Sequence, residues 1–522
     1  MLRKKGINFF IVIGLFVVYL VNGVIAIQKN SVTYDEMDHW SYGKRILKMQ
    51  PQKVYPFDDA SAMPISGLNA LPRAVEQVLN PGLLKTDGGF SDIMHGRYVT
   101  LFICLLTGFF IYQWSKKMFG EKGGLFSLFL FVVCPNLNAH GTLLTTDAYA
   151  ALLTVSTTYY FWKFIKESGW KYFLAFSISL GIAQITKYSL VHLVLIFAVV
   201  SIFVLVKRKT LFTGWKINLL RLTVLALIVL FITNAGYLFQ NTGRSLSNFE
   251  LHSKSLISLK ETAIGKIPIP LPGPYIEGLD LTIYMNELGA GDPNVSGDNY
   301  LFGEKRAGHG FWYYYLAVFL FKTPLTVLFI LLAAIIFLFV RKKKEGYPST
   351  MIFLLGICFY FLFLLGFTNH VQIGIRHAIM IFPLLYVLAG FFITLPIVQN
   401  INKFFTAILV IYSVVSFCVF FPNLISYTNE LIPDKKTAYK IMADSNIDFG
   451  QGEFALAKYL KKHPGTKRAG AEPGEGKFVI SINDYVDLNN TNKYNWLKEY
   501  KPVGHVNFCF LLFDTNTSLP NK

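Results

Sequence analysis

Apolar runs long enough to cross a lipid bilayer dominate the chain up to residue 421. They are residues 7–27, 98–114, 123–137, 148–164, 172–185, 189–206, 217–238, 323–340, 351–367, 378–397 and 404–421. A helix of about 20 apolar residues spans the roughly 30 Å hydrocarbon core. Hydrophobic residues make up 53% of the 522 positions and charged ones only 15%, which excludes an ordinary soluble protein. The sequence therefore predicts an α-helical polytopic membrane protein with about eleven transmembrane helices.

The basic residues indicate how those helices are oriented. Arg3, Lys4 and Lys5 precede the first run, whose length of about 20 residues and lack of a small-residue cleavage site favour a retained span over a signal peptide. Short basic connectors then occur in every second loop: 116–117, 163–171, 207–209, 341–344 and 403. The positive-inside rule places them and the N-terminus in the cytoplasm. The net charge of +18 is thus an orientation signal, and nucleic acid is not an expected partner.

The remaining loops are predicted to face the extracytoplasmic side of the inner, cytoplasmic membrane. Two of them are long, 28–96 and 239–310, and both belong to a predicted transmembrane domain over residues 1–422. In the first loop, Leu71, Val75, Val78 and Leu79 recur at helical spacing, which predicts an amphipathic helix at the membrane surface. Residues 423–522 combine a helix-like FALAKYLKKH with strand-like KFVISI and HVNFCFLLF, which predicts a small extracytoplasmic α/β domain.

Carboxylates follow the first run and precede the fourth. VTYDEMDHW contains Asp35 and Glu36, either of which could act as a general base or simply begin a helix. HGTLLTTDAYA places Asp147 at an outer helix start, where an acid suits the helix dipole. Asp147 could equally be a second carboxylate in a hydroxyl-activating or cation-binding site. The residues alone leave these alternatives open.

Three ionisable nitrogen-bearing side chains lie at outer ends of other runs. TKYS contains Lys187, and GIRHAIMIFP contains Arg376 and His377. The two cations could snorkel to ordinary lipid phosphates or bind a specific anion. Because few cations are expected on the outer face, a specific anion is the better explanation. The histidines show no paired metal-ligand spacing, and a histidine metal site is not expected.

In their order along the chain, these segments resemble the GT-C type membrane glycosyltransferases. The most similar branch is the bacterial one related to the protein O-mannosyltransferases of glycosyltransferase family 39. The segments that carry the resemblance are YDE, HGTLLTTDAYA, ITKYS, YLFGEKRAGHGFWYYYLAVFLFKTPL, GIRHAIMIFP and DSNIDFGQG. The resemblance implies a GT-C fold and transfer of a sugar from a polyprenyl-phosphate donor to a protein or glycolipid acceptor at the outer face of the membrane.

The same resemblance implies roles for individual residues. Asp35, with Glu36 beside it, is similar to the catalytic acid of the first outer loop, and Asp147 is similar to the acid of the second. Carrier-phosphate binding is implied for Lys187, Arg376 and His377, whereas Lys322 in FKTPL matches a characteristic position of unassigned role. Two departures are visible: the 239–310 loop is too short for the lumenal insert of the eukaryotic enzymes, and Phe449 stands where Trp is common.

Elementary chemistry fits this expectation. A phosphomonoester has its second pKa near 6, so polyprenyl phosphate can leave as an anion without an acid catalyst. The acceptor hydroxyl needs a base, which Asp35 would supply, and direct displacement would invert the anomeric centre. No cofactor is required, although Asp35 and Asp147 could hold Mg²⁺ or Mn²⁺. The alternatives are a secondary transporter, whose ionisable residues would lie near the membrane midplane, and a non-catalytic binder of lipid-linked sugars.

Overall fold

The computed structural model describes residues 2–79, 90–209, 213–340, 348–395 and 403–516. The chain is predominantly helical. The α-helices up to residue 288 are α1 Leu2–Lys29, α2 Glu36–Leu47, α3 Pro56–Asp59, α4 Gly67–Leu79, α5 Phe90–Val132, α6 Pro135–His140, α7 Asp147–Glu167, α8 Trp170–Gln184, α9 Val191–Lys207, α10 Trp215–Gly236, α11 Lys254–Lys260 and α12 Gly273–Leu288. Those that follow are α13 Tyr314–Lys322, α14 Leu325–Val340, α15 Pro348–Thr368, α16 Phe382–Ala389, α17 Lys403–Phe420, α18 Glu453–Lys462 and α19 Ile482–Val486.

Every apolar run identified in the sequence overlaps helical structure. Within the described residues, six helices are long and apolar enough to cross a membrane: Ile7–Lys29, Asp92–Val132, Tyr188–Lys207, Trp215–Gly236, Pro348–Thr368 and Ile375–Thr394. The pair α13 and α14, bent by 116°, would make a seventh. The predicted runs 98–114 and 123–137 share α5, which is broken at Gly120 with a positive φ of 76°. A polytopic membrane protein is confirmed, and the count of eleven spans stays a prediction.

The surfaces of these helices carry apolar side chains that water would not tolerate in such number. Phe9, Phe10, Phe203 and Phe231 are each more than 60% exposed. In a membrane helix the backbone polar groups are satisfied internally, so that such side chains can face lipid at no cost. The exposed rings therefore mark the lipid-facing sides of α1, α9 and α10.

The contacts divide the chain into two compact units. The terminal unit comprises residues 1–34, 111–143 and 288–522, and the central unit comprises residues 35–110 and 144–287. Residues 423–516 group with the terminal unit, and the predicted domain boundary after residue 422 stays a prediction. The division separates the candidate residues into two sets, because Asp35 lies in the central unit and Arg376 in the terminal unit.

A small α/β region follows the last apolar helix. Its strands are β3 Thr466–Arg468, β4 Lys477–Ser481, β5 Gly504–Val506 and β6 Phe510–Asp514, after the separate hairpin of β1 Asn299–Leu301 and β2 Glu304–Arg306. The sheet order is β3-β4-β6-β5, with β3 parallel to β4 and the other pairs antiparallel. The predicted helix and strands are confirmed, but HVNFCFLLF forms two strands joined by a turn at Asn507 and Phe508, both with positive φ.

Candidate active site

Asp35 and Glu36 stand at the N-terminal end of α2 in the central unit. Asp35 occupies the N-cap position with φ −80° and ψ −12°, and its carboxylate makes no capping hydrogen bond. Its side chain is partly exposed, whereas Glu36, the first residue of the helix, is completely buried. Adjacent carboxylates therefore have opposite access to water. The helix dipole favours negative charge at this end and so supports both of them.

Glu36 is held by a buried arginine. Arg97 of α5 donates from Nε to Oε1 at 2.7 Å and from Nη2 to Oε2 at 2.6 Å, and neither side chain is exposed to solvent. Oε1 also accepts a hydrogen bond from the backbone N–H of Leu144 at 2.8 Å. This bidentate pair joins α2, α5 and the segment that leads into α7. Because both of its oxygens accept hydrogen bonds, Glu36 holds the start of α2 against α5 and against the segment before α7.

Asp147 and Lys187, which lie in separate sequence motifs, form an ion pair. Lys187 Nζ is 2.5 Å from Asp147 Oδ1, and Thr145 donates from its hydroxyl to Oδ2 at 3.3 Å. The Asp147 side chain is almost fully buried, while that of Lys187 keeps one fifth of its surface exposed. The structure thus joins the predicted second acid to a predicted phosphate-binding cation at the start of α7.

Asn69 connects three helices of the same unit. Its amide nitrogen donates to Gly96 O and Thr100 Oγ1 of α5, both at 2.7 Å. Its amide oxygen accepts a hydrogen bond from the Tyr149 hydroxyl at 2.9 Å. Because Asn69 belongs to α4 and Tyr149 to α7, this buried amide fixes α4 and α7 against α5. The start of α7, where Asp147 lies, is therefore rigidly held.

Asp38 lies on α2, one helical turn after Asp35. Partial burial, together with the nearby carboxylates of Asp58, Asp35 and Asp59, raises the pKa of Asp38 to about 7. Groups that titrate near neutral pH cluster at functional sites. The charge on Asp38, and with it the electrostatic field along this face of α2, therefore changes within the physiological pH range.

Arg376 and His377 belong to the terminal unit, where they open a 3-10 helix over Ile375–Ile381. The Arg376 guanidinium is mostly buried and lies 4.5 Å from the centroid of the Phe449 ring. His377 Nδ1 lies 2.9 Å from Asn369 Nδ2 and 3.2 Å from the Tyr315 hydroxyl. The substitution of Phe449 for the more common Trp keeps an aromatic face beneath the guanidinium, which is the contact that a cation–π interaction requires.

Arg97 was not singled out from the sequence, and Asn69 was predicted only as a possible cap of the amphipathic helix. Arg97 had a readable signal, because it lies in MHGRYVT at the edge of an apolar run, where an ionisable residue is expensive. The structure places Asn69 inside α4, so the predicted cap is wrong. The roles predicted for Asp35, Glu36, Asp147, Lys187, Arg376 and His377 stay predictions at this point.

A divalent cation was predicted between Asp35 and Asp147, and its binding would depend on the oxygen ligands that these residues could offer it. Within the described residues, no three or more His, Cys, Asp or Glu side chains are placed together to hold a metal ion. Mg²⁺ and Ca²⁺ require about six or more oxygen ligands, of which proteins commonly supply several as carboxylates. One carboxylate oxygen of Asp147 is already engaged by Lys187. Binding of Mg²⁺ or Mn²⁺ by Asp35 and Asp147 stays a prediction.

Known proteins are similar to this chain in two respects: a family model matches part of its sequence, and solved structures align with most of its length. Residues 89–235 match the family model described as dolichyl-phosphate-mannose-protein mannosyltransferase. No curated protein sequence matches the chain. Crystal structures of ArnT from Cupriavidus metallidurans, one bound to undecaprenyl phosphate and one in the apo state, are similar at 12% and 11% identity, with TM-scores of 0.49 and 0.48 and 98% of each chain covered. The predicted resemblance to protein O-mannosyltransferases is confirmed over residues 89–235.

Proposed function

We propose that this chain is a membrane glycosyltransferase. It transfers a sugar from a polyprenyl-phosphate donor to an acceptor hydroxyl at the outer face of the cytoplasmic membrane and inverts the anomeric centre. The match of residues 89–235 to a family that uses dolichyl-phosphate mannose supports a prenyl-phosphate donor, because dolichyl phosphate belongs to that chemical class. That range contains Arg97, Asp147 and Lys187, which are three of the charged residues that build the central unit.

The observation that carries the proposal is the contrast between Asp35 and Glu36. A general base must reach the hydroxyl from which it takes a proton, and of the two only Asp35 is exposed. Glu36 is buried and gives both oxygens to Arg97. We therefore assign Asp35 as the catalytic residue and assign Glu36 and Arg97 as positioning residues that fix the start of α2.

The reaction balances without a cofactor. The acceptor oxygen attacks the anomeric carbon as the bond from that carbon to the phosphate oxygen breaks. The polyprenyl phosphate leaves as an anion, and Asp35 accepts the proton of the acceptor hydroxyl. The hydroxyl becomes more acidic as its oxygen bonds to the anomeric carbon, so the proton moves late in the step. If a divalent cation binds, Asp35 and Asp147 would hold it and it would neutralise phosphate charge.

Cations stabilise the charge that develops on the leaving phosphate. Lys187 can serve this role from its ion pair, because Asp147 engages one side of the ammonium group while one fifth of the side chain stays exposed. An ammonium group has three donors and can contact a phosphate while it keeps the carboxylate. For Arg376 and His377, contact with the donor phosphate is assigned by the family resemblance alone.

The test is transfer by the purified protein in proteoliposomes. Synthetic prenyl-phosphate mannose is the first donor, because the matched family description names mannose, and extracted envelope proteins and glycolipids serve as acceptors. Loss of a general base lowers rates by about 10²- to 10⁴-fold, and we expect Asp35→Asn to fall in that range while donor binding persists. Asp58→Asn, an exposed carboxylate in the same loop, is the matched control and keeps wild-type transfer.

Three outcomes would overturn the assignment of Asp35 or the proposed function. Full transfer by Asp35→Asn would exclude that residue as the base. A second outcome is that the wild type moves the lipid-linked sugar across the membrane, with or without a coupled ion, and transfers no sugar to any acceptor. That result, obtained with several prenyl-phosphate sugars, would favour the transporter. Tight donor binding with neither transfer nor transport would favour the non-catalytic binder.

A further inference from the structure

The DSNIDFGQG motif, Asp444–Gly452, opens the α/β region and lies in the terminal unit. Apart from its first residue and two glycines, its side chains are buried. A motif of this polarity pays a desolvation cost that only hydrogen bonds can offset. Some of its hydrogen bonds reach two segments of the chain that contain or directly precede a residue with a proposed role in sugar transfer.

The first of these segments is Ser31–Tyr34, which links α1 to Asp35. The Ser31 hydroxyl donates to Gly450 O at 2.6 Å, and the Tyr34 N–H donates to Phe449 O at 3.2 Å. These bonds hold an extended stretch that has no regular structure of its own. The motif therefore holds the residues that directly precede Asp35 in the chain.

The second segment is 373–376, which carries Arg376. The Ser445 hydroxyl donates to Ile373 O at 2.6 Å, and Asn446 Oδ1 accepts the N–H of Ile375 at 3.0 Å. Consecutive residues of the motif thus bind both sides of Gly374. The residue that follows Ile375 is Arg376, so its direction is set by these two bonds.

Lys322 supports the motif from the end of α13. It is 1% exposed, and its ammonium group donates to Ile425 O and to Asn446 O, both at 2.6 Å. Asn446 also donates from its amide nitrogen to the Tyr314 hydroxyl at 2.9 Å. A buried cation is costly, and two backbone carbonyls compensate it only while they stay in place. This arrangement gives the otherwise unassigned lysine of FKTPL a specific partner.

We propose that Asp444–Gly452 is a clamp that holds segments 31–34 and 373–376 and so positions Arg376 for sugar transfer, and that Lys322 anchors it. The role of the clamp in sugar transfer rests on the proposed function, whereas its hydrogen bonds do not depend on that function. Ser445, Asn446 and Lys322 are positioning residues, because each acts through segments 31–34 or 373–376 and not on the substrate.

Gly374 offers a sharp test of the clamp. A Cβ atom at this position would lie 2.4 Å from Ser445 Oγ, whereas the next nearest atoms are at 3.4 Å. Its backbone is extended, with φ 165°, so that alanine is acceptable apart from this one contact. Gly374→Ala should therefore push the two segments apart, and Ser445→Ala should relieve the clash by removing the hydroxyl.

Donor kinetics in proteoliposomes measure this displacement. We expect Gly374→Ala to raise the donor KM at least tenfold with a smaller change in kcat, because Arg376 is moved and Asp35 retains its chemistry. The double variant Gly374→Ala/Ser445→Ala removes the clash but also lacks the bond from Ser445 to Ile373 O, so its KM should equal that of Ser445→Ala alone and lie between those of the wild type and Gly374→Ala. An equal loss in Gly374→Ala and the double variant, or a fall in kcat at constant KM, would overturn the clamp, since a general loss of folded enzyme lowers only kcat.

Hydrogen exchange separates failure of the clamp from failure of the proposed function. Asn446→Ala removes the acceptor of the Ile375 N–H, and we expect at least tenfold faster amide exchange across 373–377. Lys322→Gln should speed exchange across 444–449. Asn495→Ala, an exposed asparagine of the same region, is the matched control and should change neither. Unchanged exchange in both clamp variants would refute the clamp, whereas altered exchange in a protein that transfers no sugar would refute only the proposed function.

Discussion

Asp35 and Glu36 are neighbours in the chain whose side chains have different surroundings at the start of α2. The Asp35 side chain makes no capping hydrogen bond, and Glu36, the first residue of α2, is buried. Glu36 accordingly reaches Arg97, and Asp35 stays partly exposed. Neighbouring carboxylates thus differ in burial and partners, which supports the separate roles proposed for them.

Asp38 gives the first prediction at the level of single residues. Its pKa rises from 3.8 to about 7 on folding, because burial and nearby carboxylates disfavour the charged form. Between these values the folded state binds more protons than the unfolded state, so the free energy of unfolding falls as pH rises from about 4 to about 7. We expect Asp38→Asn to match the wild type in melting temperature near pH 4 and to exceed it at pH 8.

Thermal unfolding in detergent at several pH values measures this difference. Asp448 also has a pKa raised by burial, to about 6, and titrates in an overlapping range. The difference between the wild type and Asp38→Asn isolates Asp38, since both proteins retain Asp448. Parallel melting curves for the two proteins across pH 4 to 8 would contradict the raised pKa.

The sequence identified the ionisable candidate residues, but it did not predict which of them form ion pairs. Asp147 and Lys187 were predicted separately, one as an acid and the other as a phosphate contact. Their side chains meet because α7 and α8 pack against each other and return the chain over 40 residues. Local composition does not contain that tertiary information, and the same is true of the Glu36–Arg97 pair across 61 residues.

At the scale of elements, the Glu36–Arg97 pair connects α2, α5 and the segment before α7. Removing one partner leaves the other as a buried unpaired charge, so we expect Arg97→Met to cost about 3–5 kcal/mol of stability. In Glu36→Gln/Arg97→Met the charge is gone, and the Gln oxygen can still accept the Leu144 N–H. The double variant should therefore be more stable than Arg97→Met alone, although it carries one more substitution.

Urea or thermal unfolding of the wild type, both single variants and the double variant gives the required comparison. Transfer activity measured at a temperature where all four proteins are folded gives a second readout, because a loose α2 would misplace Asp35. A double variant less stable than Arg97→Met would show that the pair is not the connection between these elements.

Helical periodicity predicted α4 well because it is a local property. Leu71, Val75, Val78 and Leu79 form one row on the helix, and each is at least 45% exposed. An exposed apolar row on an outer-loop helix agrees with the predicted position at the membrane surface. The break in α5 at Gly120, with φ 76° and ψ 179°, lies between the predicted runs 98–114 and 123–137, where the sequence predicted a connection between two spans.

The charge pattern of the whole molecule predicts its orientation in the membrane. Basic connectors recur in every second loop, and the predicted acids and phosphate-binding cations all lie in the loops between them. The positive-inside rule therefore predicts that the residues proposed for sugar transfer lie on the extracytoplasmic side, which the proposed reaction requires if donor and acceptor meet there. Orientation is independent of the fold, because an inverted molecule would have the same internal contacts.

Cysteine labelling tests this orientation with positions whose side chains are exposed. Tyr34 precedes Asp35, His309 lies in the second long outer loop, and Lys117 lies in a basic connector. Cys418 is exposed and is first replaced by Ser to remove background. In right-side-out vesicles we expect a membrane-impermeant maleimide to label Tyr34→Cys and His309→Cys directly, and Lys117→Cys only after permeabilisation. Labelling of Tyr34→Cys and Lys117→Cys from the same side would contradict the topology, and with it the placement of an extracytoplasmic active site.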